Sequence, residues 1–160
     1  RRDTRARIGI VVADIALKPG AAAAVTSARR LGFKVFVVTN QPDAAKAKAS
    51  LADIDVVQLY ENFSAQGIAS LIDHGFCTYE NVAEVVRFDN LIAPSGKLPV
   101  NTAGGNFAQG FVHGIGCAVE AVRVLRGESA NPVPGAKTCL LAGGPGAPTI
   151  SSAIFGTGDY

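Results

Sequence analysis

The sequence predicts an α/β fold built on a mixed sheet. Short β-branched runs, ARIGIVV (6–12), FKVFVVT (33–39) and DIDVVQLY (53–60), alternate with stretches of helical length and composition. FKVFVVT is apolar nearly throughout, the pattern of a strand covered on both faces. The chain closes with two strand-like runs, AKTCLLAGG (136–144) and PTISSAIFG (148–156), around a GGPGAP turn, which adds an antiparallel edge.

Each element has a local reason. PGAAAAVTSARRLG (19–32) reads as a helix because Pro19 pre-sets the first turn, alanine has high helix propensity and Gly32 supplies a stop. PDAAKAKASL (42–51) is a short alanine-rich helix opened by Pro42 and Asp43. FSAQGIASLIDHG (63–75) carries Phe63, Ile68, Leu71 and Ile72 at helical spacing and ends at Gly75. TYENVAEVVRF (78–88) reads as one helix with Thr78 as its N-cap. Residues 89–106, rich in Asn, Pro, Ser and Gly, read as a loop. FAQGFVHGIGCAVEAVRVLRG (107–127) reads as one long helix, although Gly110, Gly114 and Gly116 each disfavour it by about 1 kcal/mol relative to alanine. NPVPG (131–135) is a turn.

Bulk properties narrow the function classes. At 160 residues the chain is expected to form one domain with one core. A net charge of +2 gives no reason to expect nucleic acid, and the basic RRDTRAR start (1–7) reads as a solvated arm. No apolar run approaches the ~18 residues of a membrane span. Cys77, Cys117 and Cys139 are an odd count without a CxxC pair, which suits free thiols in a reducing, cytoplasmic setting and gives no metal signature. The complete absence of methionine leads us to expect a processed product or part of a longer chain.

Four stretches carry candidate chemistry. In NTAGGNFAQGFVHGIG (101–116), a glycine pair and a His-Gly step precede an apolar helix. A helix start offers unpaired N–H groups to an oxyanion or phosphate, and His113 is a titratable side chain there; close helix packing explains the same glycines. GGPGAP (143–148) lacks the Lys-Ser/Thr of a P-loop and the GxGxxG of a dinucleotide fold, so alone it is a hairpin turn. QLYENFSAQ (58–66) puts polar residues at a strand end, where α/β sheets bind ligands. There Tyr60 could donate to a developing oxyanion, while Glu61 could be a base or a charge at a helix start. KVFVVTNQPD (34–43) resembles the phosphate-reading motif of haloacid-dehalogenase-type phosphatases, but VADIAL (12–17) has Val12 where their nucleophilic aspartate belongs. Thr39 and Asn40 are a strand-to-turn step.

Taken in order, LADIDVVQLYENFSAQ, LPVNTAGGNFAQGFVHGIG and CLLAGGPGAP resemble the C-terminal half of the thiolase superfamily. The match runs over residues 51–160, with 1–50 a weakly matching leading segment; GAAAAVTSARRLG resembles the helix that leads into this half. The flavour is that of the sterol-carrier-protein-type, or lipid-transfer-protein, branch, given by the NTAGG, HG, EAVRVLRG and GGPG stretches. The resemblance implies a layered αβαβα fold, dimerisation and acyl-CoA substrates, with coenzyme A as a substrate moiety and no covalent cofactor. It also implies a missing N-terminal half, or a companion chain, bearing the nucleophilic cysteine. Three departures stand out: Tyr60 replaces the asparagine of the strand-to-helix motif, Phe111 replaces the catalytic histidine, and Leu141 replaces the second cysteine, with Cys139 two residues away. Phenylalanine and leucine cannot move protons.

Some members of that branch are retro-aldolases acting on CoA-thioester side chains, with tyrosines at the first two of these positions and a small OB-fold partner; Tyr60 fits and Phe111 does not. The resemblance thus assigns Tyr60 and His113 as catalytic and Gly104, Gly105, Phe111, Gly143, Gly144 and Gly146 as substrate-binding. In a regular helix, positions two apart diverge by about 200°, so His113 shares a cavity with position 111 only if the backbone around Gly110 and Gly114 is non-helical. A non-catalytic subunit that scaffolds a partner or binds acyl-CoA or lipid is the alternative, and Phe111 and Leu141 favour it.

Overall fold

A computed structural model describes residues 37–38, 51–110, 112–143 and 152–157. The strand expected at 6–12 and the helix expected at 19–32 lie outside these residues, as does the 42–51 helix apart from Leu51.

A single 3-10 turn, Leu51–Asp53, leads into strand β2, Val56–Leu59. Strand β1 is Val37–Val38, β3 is Thr138–Ala142 and β4 is Ser152–Gly156. They form one sheet in the order β1-β4-β3-β2. β2 and β3 run parallel, with Val57 opposite Leu140 and Leu59 opposite Ala142. β4 is antiparallel to both neighbours, with Cys139 opposite Phe155 and Val38 opposite Ser152. The sheet is therefore mixed, as expected, but β4 is not its edge: β1 pairs beyond it. The start of the β2–β3 pair is locked by Asp55, whose carboxylate accepts the backbone N–H groups of Lys137 and Thr138 at 2.7 and 3.0 Å.

Helix α1, Ser64–Asp73, and helix α5, Ile115–Arg126, cover the two faces of this sheet. Strand alternation sends Val57 and Leu59 to one side with Leu140, Ala142 and Leu71 of α1, and Val56 to the other with Cys139, Phe155, Ala121 and Val124. All four residues of β2 are buried, which is what coverage on both faces requires. α1 stops where Gly75 takes φ +81 and α5 where Gly127 takes φ +70, conformations that a side chain disfavours. Only part of the apolar stripe foreseen on α1 is core: Leu71 is buried and Ile72 partly so, but Phe63 is 66% exposed.

Two expected helices are broken. Residues 78–88 form α2, Val82–Val85, and continue into a separate turn, α3, Phe88–Leu91. Thr78 is not an N-cap; its N–H donates to Asn81 Oδ1 at 2.7 Å. Val82, Val85 and Val86 pack on the α1 side of the core, and Asn90 Nδ2 takes the carbonyls of Glu84 and Val85, so packing and side-chain capping override continuation. The helix expected over 107–127 is likewise two: α4, Gly105–Ala108, then α5 from Ile115. His113 at φ +51 and Gly114 at φ +82 interrupt it. The non-helical approach that His113 required is present.

Candidate active site

The site is built where the parallel strands end. Tyr60, the residue after β2, donates its N–H to Ala142 O at 3.0 Å, so the tips of β2 and β3 are tied together. The other side of β2 is covered by residues 99–101: Val57 N–H reaches Pro99 O at 3.0 Å, Asn101 N–H reaches Val57 O at 2.9 Å, and Asn101 Oδ1 accepts Leu59 N–H at 2.6 Å. This brings the glycine pair that follows Asn101 beside Tyr60 and Glu61. Asn101 itself is left-handed at φ +48, a conformation asparagine tolerates better than most residues.

Two glycines fit against strand-end side chains with no room to spare. A Cβ on Gly105 would fall 1.9 Å from Glu61 Oε1, and a Cβ on Gly114 would fall 2.4 Å from Tyr60 Cδ2. The backbone of 104–105 thus lies on the Glu61 carboxylate, and the His113–Gly114 turn lies on the Tyr60 ring. Gly104, at φ +84, caps α4, and a Cβ there would meet Ala108 at 2.4 Å. Gly143 follows Ala142, and its N–H faces Ser152 Oγ at 3.4 Å.

The structure therefore brings Tyr60, Gly104, Gly105, Gly143 and the His113 turn to one end of the β2–β3 pair. Tyr60 is half-buried and His113 is exposed. Phe111, Gly144 and Gly146 lie outside the described residues. Among the described residues no cluster of three or more His, Cys, Asp or Glu has metal-site geometry, and no helix is long and apolar enough to cross a membrane.

Glu61 is not a charge at the start of α1, whose first turn has no acidic residue. It turns away and clamps the glycine turn instead: Oε1 accepts Asn106 N–H at 2.7 Å, and its backbone carbonyl accepts Asn106 Nδ2 at 3.3 Å. The residue is 5% exposed, and Oε2 is buried with no hydrogen-bond partner among the described residues. Such an oxygen destabilises the fold, most as part of a buried carboxylate; an amide would leave an unpartnered NH2 there, but an uncharged one at lower cost. Glu61→Gln is expected to leave the Tm unchanged or higher, whereas Glu61→Ala, which removes the acceptor of Asn106 N–H, should cost about 1–2 kcal/mol in a denaturant titration.

A second buried clamp holds the same turn from the α5 side. Gln58 Nε2 donates to Thr102 Oγ1 at 2.9 Å, Thr102 donates to Glu120 Oε1 at 2.7 Å, and Ser129 donates to the same oxygen at 2.6 Å. Sequence reading missed it; a Gln inside an otherwise apolar strand and a Glu in the apolar stripe of a helix were its only signals.

The cysteines are not poised as nucleophiles. Cys117 donates its thiol to Leu59 O at 3.4 Å, and burial, reinforced by the Glu61 charge, pushes its pKa up to about 11. Burial also raises Cys77 and Cys139, most strongly Cys139 inside the sheet. Alkylation of the native protein at pH 8 is expected to be about a hundredfold or more slower than after denaturation, when all three thiols react at once. The Cys117 thiol favours the folded state below the ordinary thiol pKa of about 8.5, and that contribution is lost as pH rises through about 11.

The family model described as thiolase C-terminal domain-like matches residues 20–157. The chain belongs to that family. This thiolase-type domain has the family's α/β fold with a mixed sheet, in its C-terminal part. It is 36% identical over 112 residues to the 17-hydroxy-3-oxo-4-pregnene-20-carboxyl-CoA lyase of Mycobacterium tuberculosis, covering 70% of this chain and 28% of that protein. It is 33% identical over 125 residues to the steroid side-chain-cleaving aldolase of Thermomonospora curvata, covering 78% and 32%. An acetyl-CoA acetyltransferase of Methanothermobacter thermautotrophicus is 36% identical over 86 residues, 52% of this chain and 22% of that one. Among solved structures, the Ltp2-ChsH2(DUF35) aldolase superposes with a TM-score of 0.67 at 32% identity, over 74% of this chain and 30% of that one. The chain thus spans about a third or less of the relatives it matches.

Proposed function

We propose that this domain forms part of a thiolase-superfamily enzyme that breaks, or in reverse makes, the carbon–carbon bond beside a CoA thioester by retro-aldol chemistry. The observation that carries the reading is Tyr60 standing at the tips of two parallel strands with the His113–Gly114 turn against its ring. The names of two relatives, a CoA-ester lyase and a side-chain-cleaving aldolase, point the same way.

In a β-hydroxyacyl thioester the hydroxyl loses its proton, the Cα–Cβ bond breaks, and its electron pair moves into the thioester as an enolate. The products are a carbonyl compound and, once the proton is returned to Cα, a shortened acyl-CoA. The enolate oxygen needs a fixed donor, a role assigned to the Tyr60 hydroxyl; the proton needs a carrier, assigned to His113. Gly104, Gly105, Gly143, Gly144 and Gly146 would let the acyl group approach the backbone closely, with Phe111 as a further substrate-binding residue. Leu141 is partly buried and packs against the apolar cluster under α5; a leucine cannot move protons, which disfavours thiolytic exchange at that position and supports the aldol reading.

Coenzyme A enters as part of the substrate. The remainder of the enzyme, on the same or a companion chain, would complete the cleft, as a homodimer or a heteromer that includes a small OB-fold acyl-CoA-binding protein; the two-component name of the structural neighbour favours the heteromer. Free thiols at Cys77, Cys117 and Cys139 fit a cytoplasmic setting. The test is to incubate the full-length protein, with any co-purifying subunit, with 17-hydroxy-3-oxo-4-pregnene-20-carboxyl-CoA. Mass spectrometry should find a ketone and a shortened acyl-CoA. Tight binding of the ester without cleavage would favour the second reading, a non-catalytic acyl-CoA-binding subunit, which Leu141 in its apolar surroundings also suits.

A further inference from the structure

The geometry points to His74 as a positioning residue of the site, acting on Gly143 through the Ser152 hydroxyl; its link to substrate rests on the reading of Gly143 as a substrate-binding residue. His74 is the C-terminal cap of α1, on the side of the sheet away from the Gln58–Glu120 clamp. Its Nδ1 lies 2.7 Å from Ser70 O, and Nε2 lies 2.8 Å from Ser152 Oγ, on β4. Ser152 Oγ in turn faces Gly143 N–H at 3.4 Å.

These contacts have one consistent direction in a neutral imidazole. A backbone carbonyl only accepts, so the hydrogen belongs on Nδ1 and Nε2 becomes an acceptor. The Ser152 hydroxyl therefore gives its single hydrogen to Nε2, which leaves an oxygen lone pair for Gly143 N–H. Donation runs from Gly143 to Ser152, to His74, to Ser70. Ser152 is 3% exposed, so its hydroxyl depends on protein partners.

The place where this relay ends gives it a role in the site. Gly143 follows Ala142, whose carbonyl holds Tyr60 N–H at 3.0 Å. Strand pairing of β3 ends at Ala142, so Gly143 N–H is the first backbone donor past the ladder. Holding it sets where the chain leaves β3, one residue from the tie that seats Tyr60. Leu71 and Ile72 already dock α1 on the sheet through apolar contact, so docking does not need the imidazole.

The test uses the full-length protein with its companion subunit. Nitrogen-15 NMR of the histidines, with the His74 signal identified by its loss in His74→Ala, should show the neutral Nδ1–H tautomer; the Nε2–H tautomer would overturn the relay. In Ser152→Ala, the Gly143 amide should exchange with solvent at least about tenfold faster. KM for 17-hydroxy-3-oxo-4-pregnene-20-carboxyl-CoA should rise about fivefold, the ratio one net hydrogen bond carries, with kcat within about twofold. Ser152→Thr, which keeps the hydroxyl, should restore both. Unchanged exchange at Gly143, or a threonine variant no better than the alanine one, sinks the assignment. If the wild-type protein neither binds nor cleaves the ester, the proposed function falls, while tautomer and exchange still decide whether His74 holds Gly143.

Discussion

Tyr60→Phe is expected to lower kcat for retro-aldol cleavage by about 10²–10³-fold while leaving the fold intact. That is the loss recorded when a single donor to a developing oxyanion is removed. Only the hydroxyl goes; the ring that lies on Gly114 stays, as does the backbone tie from Tyr60 to Ala142. Stability should change by no more than about 1 kcal/mol, the size of one net hydrogen bond. Parallel measurements of kcat, KM and the denaturant midpoint separate the outcomes. A variant that turns over at the wild-type rate removes Tyr60 from the chemistry, and one that unfolds early makes its hydroxyl a structural group.

Gly105→Ala should be among the most destabilising single-methyl changes in the domain, at about 2–4 kcal/mol. Two effects add. The new Cβ would sit 1.9 Å from Glu61 Oε1 and 2.6 Å from Asn101 Nδ2, and φ at this position is +61. Overpacking of this kind costs about 1–3 kcal/mol, and a left-handed residue with a side chain about 1 more. Neither neighbour can yield easily, since the Glu61 carboxylate holds Asn106 N–H and Asn101 Oδ1 holds Leu59 N–H. Gly114→Ala should be comparable in stability and should also depress turnover, because the atom it strikes is the Tyr60 ring. Gly110→Ala is the control: its Cβ would meet nothing within 4 Å among the described residues, so it should be nearly neutral. Thermal melts of the three variants side by side should show that order, and a Gly105→Ala protein as stable as the Gly110→Ala one would contradict the packing described for this turn.

Much of the fold was legible before any coordinates. The strand at 53–60 and the helix at 63–75 were correctly placed, because alternation of apolar runs with a helical stripe and a glycine stop are local signals. The closing strand pair was legible for the same reason. Residues 107–127 were not, since helical periodicity continues across Gly110, Phe111 and Val112 and nothing local says that the chain turns left-handed at His113 and Gly114. That turn lies against the Tyr60 ring, about fifty residues earlier in the chain, a contact no local pattern encodes. The 78–88 stretch failed for a similar reason: its valines are drawn into the core and Asn90 competes for the helix carbonyls.

The site divides in the same way. Tyr60 at a strand end and the Gly104–Gly105 pair could be noticed from residue type and order, but it was the family resemblance that gathered them with Gly143 into one candidate site. Glu61 was noticed but misread, since a carboxylate before a helix is ordinarily an N-terminal charge, and only the tertiary fold shows it reaching back to Asn106. The His74–Ser152 contact spans 78 residues and left no trace in spacing or composition. The amino-acid order determined which segments become strands and helices, because those choices are made over a few residues by propensity and periodicity. Which side chains meet at the strand tips was decided only by packing the two helices on opposite faces of the sheet, because contacts between distant segments depend on register and burial that no local pattern encodes.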